Sequence, residues 1–98
     1  MASVPFHRDT ILTDLKDNVL KVQFIKSNNQ TRILTCTLRE DIIHRDGGTI
    51  DANYLQEQHA KPENKEVVVV WDMDNKGWRS FRMNSIQWVE MKDYMMYL

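Results

Sequence analysis

The chain has 98 residues, 42% of them hydrophobic and 28% charged, with only three Gly and two Pro: enough for one domain, too few for two, and too apolar to stay disordered. Its net charge of −1 is spread evenly, with seven Lys/Arg against six Asp/Glu over residues 1–50 and six against eight over 51–98, which excludes a chain-wide basic surface for phosphate contacts. One cysteine, Cys36, excludes an internal disulfide, and no stretch approaches the roughly 18 apolar residues of a membrane span.

Residues Met1–Arg8 lack the apolar run of a signal peptide, so a reducing, cytoplasmic setting and no membrane partner are expected. Asp9–Asp17 then sets Ile11, Leu12 and Leu15 at i+3 and i+4 spacing, with Asp9 or Thr10 available as a cap. This predicts a short amphipathic helix, too short to stand alone and obliged to lean on the rest of the fold.

In Val19–Lys26, Leu20, Val22 and Phe24 alternate with Lys21 and Gln23, the period of a half-buried strand. Ser27–Gln30 supplies turn residues that tolerate left-handed backbone. Thr31–Leu38 puts Leu34, Cys36 and Leu38 on one face and Ile33, Thr35 and Thr37 on the other, completing a hairpin.

The pattern weakens over residues 39–65, an insertion-like connection. Glu40 and Asp41 read as a solvated pair in a charged loop, and Gly47-Gly48 breaks the chain. Asp51–His59 predicts a helix with Tyr54 and Leu55 turned inward. A connection this long in a compact domain is expected to be functional, mobile or both.

Glu66–Met73 carries four consecutive valines, which implies a central strand buried on both faces, one of them under the N-terminal helix. Asp74–Gly77 predicts a hairpin turn with Gly77 at a positive-φ position. Trp78–Met83 pairs back, Asn84-Ser85 makes a tight corner, and Ile86–Lys92 is the last strand. Asp93–Leu98 is rich in Met and Tyr. Five short strands with one tight corner before the last give a mainly β fold, a small five-stranded SH3/Sm-like barrel over residues 1–98 as a single domain, with a short N-terminal helix.

Cys36-Thr37-Leu38, Val70-Trp71-Asp72 and the block from Trp78 through Arg79, Ser80, Phe81 and Arg82 to Ile86 carry a further pattern. It resembles the small phage proteins of the WYL-like, Sm-like SH3 β-barrel family, over about Val19–Leu38 and Val67–Val89. The resemblance implies a small barrel, a phage source and a regulatory or ligand-binding role in the host cytoplasm. The Trp-Tyr-Leu tripeptide that names the wider superfamily is absent, so that superfamily's ligand-binding residues do not carry over.

Trp78, Arg79 and Arg82 are the first candidate site. With Phe81 and Met83 in the core, Trp78, Ser80 and Arg82 line the outer surface, where an aromatic beside a guanidinium can stack a base and meet a phosphate. The alternative packs Trp78 under the N-terminal helix and pairs both arginines with Asp72, Asp74 or Glu90. Tyr94, Met95, Met96 and Tyr97 form the second candidate, either closing the barrel or offering a sticky interface for another copy of the chain.

Asp72 and Asp74 resemble the start of a calcium loop, but the twelfth position is Met83 rather than Glu, so a turn is expected. His7, His44, His59 and Cys36 have no metal-ligand spacing, and no acid, base and nucleophile assemble. No metal and no cofactor are expected. The reading is a non-enzymatic binding module with a protein partner, from the host or the phage. The alternative is weak single-strand nucleic-acid binding through Trp78 and Arg82, with Lys21, Lys26 and Arg32 adding charge.

Overall fold

The computed structural model describes residues 6–92. Helix α1 (Arg8–Asp17) leads into β1 (Val19–Ile25) and β2 (Thr31–Thr37); α2 (Glu40–Arg45) and α3 (Ala52–Ala60) follow; then come β3 (Val67–Asp72), β4 (Gly77–Arg82) and β5 (Ile86–Lys92), with 3-10 turns at Pro62–Asn64 and Met83–Ser85. The five strands form one antiparallel sheet in the order β4-β3-β2-β1-β5. The two outer strands, β4 and β5, are joined by the 3-10 turn at Met83–Ser85, which curls the sheet into a small barrel.

The alternation in β1 and β2 produces the core. Leu20, Val22, Phe24, Leu34, Cys36 and Leu38 point inward, and Val68, Val70, Phe81 and Met83 meet them from β3 and β4. Phe24 and Phe81 stack with ring centroids 5.5 Å apart. Ile11 and Leu15 of α1 close the cluster. Its N-cap is His7, with no side-chain bond, rather than Asp9 or Thr10. Asn29 takes the left-handed backbone in the β1–β2 turn (φ 67°). In the β3–β4 turn that conformation falls on Lys76 (φ 53°) and not on Gly77, which already begins β4.

Thr37 was expected on the outward face of β2, yet it is fully buried. Its hydroxyl lies 2.9 Å from the Asn18 carbonyl and 3.3 Å from that of Leu15, and accepts from the Arg39 amide at 3.0 Å. The strand end is thereby tied to the end of α1, satisfying carbonyls that a helix terminus leaves open.

Glu40 and Asp41 lie in the first turn of α2 and not in a loop. That position suits acidic residues beside the positive end of the helix. Ile42 and Ile43 anchor α2 in the interior. In α3, Leu55 is half-buried, but Tyr54 is 60% exposed and turned outward, contrary to the expectation of an inward pair.

β2 pairs with β3 only at Cys36↔Asp72 and Thr37↔Trp71, because the chain leaves the sheet after Thr37. The edge of β3 that β2 abandons is closed by side chains. The Val69 amide donates to Nε2 of His59 at 3.0 Å, and the Val67 carbonyl accepts from Nε of Arg8 at 3.1 Å. Arg8 also donates through Nη2 to the His59 carbonyl at 2.8 Å. The edge of β3 is thus closed by the end of α3 and by Arg8, while Val68 and Val70 face the core cluster that Ile11 and Leu15 of α1 also join, as expected for one face. Val68 and Val70 are fully buried, whereas Val67 and Val69 are only half-buried.

Candidate functional site

Two surfaces carry the chemistry-bearing residues, and β4 contributes to both. The first is built on the cross-strand pair Trp71↔Trp78. The rings meet edge to face, with centroids 5.4 Å apart and planes at 77°. Trp71 is buried and donates its indole N–H to Asp46 Oδ2 at 3.1 Å. Gly48 lies against the same ring: a Cβ there would sit 2.5 Å from Cη2 of Trp71. These contacts fix the chain before α3, where the Asp51 side chain caps the helix by accepting from the Tyr54 amide at 3.1 Å.

The result is a groove of about 440 Å³ between α3 and β4, lined mainly by Ile50, Tyr54, Leu55, Val69 and Trp78. On the far side of α3 a second cavity of about 490 Å³ shares Ile50 and Leu55 and reaches Leu12, Lys16 and Glu40. Helix α3 therefore stands between two clefts, held to the barrel through Leu55 and the His59–Val69 bond. His59 has its pKa lowered below 6.5 by burial first, and then by the charges of Arg8 and Lys16.

The second surface lies at the other end of β4. Two adjoining clefts, of about 360 and 230 Å³, share Phe24, Lys26, Ser27 and Ser80. Arg82 and Ser85 line the larger, Arg32 and Arg79 the smaller. The register explains the convergence: Arg32 is opposite Phe24, and Arg79 and Arg82 are opposite Val70 and Val67. Asp72 orders the guanidinium groups. It is fully buried, accepts from Arg32 Nη2 at 3.1 Å, and lies 4.0 Å from Arg79 Nε.

The same carboxylate accepts from the Asp74 and Asn75 amides at 2.9 and 3.2 Å and from Asn75 Nδ2 at 2.8 Å. Burial pushes its pKa up, but the donors of Asn75 and Asp74 and the charge of Arg32 prevail, so the net shift is down and the group stays ionised. The hairpin turn covers residues 73–76, one residue before the expected Asp74–Gly77, and Asp72 at the end of β3 caps it in place of ligating an ion.

The sequence candidates are thus divided. Trp78 and Arg82 share a face of β4 but are four residues apart along it, about 13 Å at strand rise. They border different clefts, Trp78 the groove beside α3 and Arg82 the furrow at the other end of the strand. Trp78 packs against Trp71 beside α3 and not under α1. Arg79 turns toward Asp72, whereas Arg82 is exposed and, among the described residues, makes no ion pair. Tyr94, Met95, Met96 and Tyr97 lie outside the described residues. Cys36 is buried between strands, and burial, together with the charge of Asp72, pushes its thiol up to about 12.

Sequence reasoning missed the roles of Arg8, Asp46 and His59, whose partners lie far away in the chain. Among the described residues no group of three or more His, Cys, Asp or Glu side chains could hold a metal ion. No helix there is long and apolar enough to cross a membrane.

A family model described as WYL_2, Sm-like SH3 beta-barrel fold, matches residues 8–86. No curated protein and no solved structure matches the chain.

Proposed function

The chain belongs to the WYL_2 family of Sm-like SH3 β-barrels, and from that premise we propose that it is a non-enzymatic binding module that modulates a protein or an assembly by seating a protein segment between α3 and β4. The observation that carries this reading is the pairing of Trp78, half-buried on the groove floor, with Tyr54, 60% exposed on its wall. Aromatic anchors in an apolar groove with a polar rim, here Asp51 and Gln58, are what protein interfaces favour. β4 is also the last strand of the sheet, so its outer edge is open to strand addition by an extended segment.

A phage source, a regulatory role and work in the host cytoplasm are supported by the likeness of the Trp78–Ile86 block to small phage proteins. Tyr94, Met95, Met96 and Tyr97 are of the types that interfaces prefer, and the reading includes self-association through them.

The test is capture from lysate, with and without nuclease, comparing wild type with Tyr54→Asp. Tyr54 is exposed, so the substitution leaves the core intact. A partner retained after nuclease and lost from the variant supports the groove. Retention that Tyr54→Asp leaves unchanged, or capture abolished by nuclease, overturns it.

A further inference from the structure

We propose that the furrow between the β1–β2 turn and β4, walled by Lys26, Arg32, Arg79 and Arg82, binds the phosphodiester backbone of a single-stranded nucleic acid. Four cations border two adjoining clefts whose linings contain no carboxylate; Asp72, which meets Arg32 and Arg79 behind them, is buried and already committed to Arg32 and the turn. With these five residues set aside, the remainder of the chain has nine Lys/Arg against thirteen Asp/Glu. The molecule is therefore polarised, and its small net charge conceals a positive face on an otherwise negative body. A polyanion is drawn to such a face and repelled elsewhere, which favours one docking orientation.

The chemistry of the walls matches phosphate. Guanidinium groups offer forked donors, Lys26 a point charge, and Ser27, Ser80 and Ser85 hydroxyls complete the lining. Arg32 and Arg79 are held near Asp72, so two of the four donor groups are ordered before a ligand arrives. Lys26 borders both clefts, a position from which it can lie between successive phosphates.

Clefts of this size take one strand and not the paired backbones of a duplex. Phe24 and Phe81 beneath them are buried, leaving little aromatic face for stacking. Binding should then be electrostatic and tolerant of sequence.

The experiment is anisotropy titration of the full chain with a labelled oligo-dT of about 12 nucleotides at about 50 and about 200 mM salt. Four phosphate contacts at about 0.7 each give a log-log salt slope near 3, or about 50-fold weaker binding at the higher salt. Arg82→Gln and Lys26→Gln, both exposed sites, should each weaken binding and lower the slope by about 0.7, with unchanged melting temperature. Tyr54→Asp should leave binding unaltered, which separates this furrow from the groove beside α3. Absence of binding at the lower salt, or binding indifferent to both substitutions, overturns the proposal. Inorganic phosphate, dTMP or a phosphoserine peptide competing as well as the strand, phosphate for phosphate, overturns the assignment to a strand.

Discussion

The amide of Val69 donates to Nε2 of His59 at 3.0 Å, so the imidazole must be unprotonated at that nitrogen for the edge of β3 to be closed. Burial and the facing charges of Arg8 and Lys16 keep the folded pKa below the ordinary 6.5. Above that value both folded and unfolded chains are neutral at His59, and the stability is fully present. As pH falls below it, the unfolded chain takes up a proton that the folded one resists, and stability is lost until the folded pKa is passed. Melting temperature should therefore drop between about pH 7 and about pH 5, less steeply in His59→Gln. Identical slopes for the two proteins would remove His59 from the account.

Phe81 is buried against Phe24 at the centre of the barrel. Phe81→Ala should cost about 3–5 kcal/mol, most of the stability of so small a domain. Urea denaturation measures it, and a loss below about 1 kcal/mol would mean that the site collapses around the gap.

Gly47 and Gly48 are needed for different reasons. Gly47 has φ +88° with open space around it, whereas Gly48 lies against the Trp71 ring and within 2.9 Å of Ile43 Cγ2 at the point a Cβ would occupy. Gly48→Ala should destabilise by about 1–3 kcal/mol by overpacking and shift the Trp71 fluorescence. Gly47→Ala should destabilise by backbone strain alone, leaving that emission in place. A change in emission from both variants alike would contradict the distinction.

Amide exchange should divide the 39–65 connection. The amides of Ile43, Asp46 and Gly48 are bonded within and just after α2, whose Ile42 and Ile43 are buried, and should exchange slowly. The amides of α3, which is half-buried only at Leu55, Gln58 and His59 among its described side chains, should exchange faster, and the first protease cuts should fall there. Equal protection across both helices would be the contrary result.

Both hairpins were legible because each strand alternates or carries β-branched residues, and those patterns report burial directly. Helix α2 was not legible: Ile42-Ile43 is one adjacent pair in six residues, too short to show a period, and the Trp71 ring that shares the space at Gly48 with Ile43 comes almost thirty residues later. The same distance hid the groove. Alternation along β4 places Trp78 outward correctly, but outward turns out to be roofed, because Trp71 binds Asp46 and so holds the chain leading into α3. The furrow was hidden by summation. Lys26 and Arg32 are neighbours through a turn, but Arg79 and Arg82 join them only through the strand order and register of the curled sheet.

The Arg8 clamp also has a consequence in time. Its acceptors, the carbonyls of His59 and Val67, lie 51 and 59 residues downstream. A chain leaving the ribosome from its N-terminus presents α1, alone too short to hold its shape, well before either acceptor has been made. The C-terminal end of α1 can be tied as soon as the β1–β2 hairpin brings Thr37 and Leu38 to Leu15, whereas its N-terminal end, with Arg8, waits for His59 and Val67.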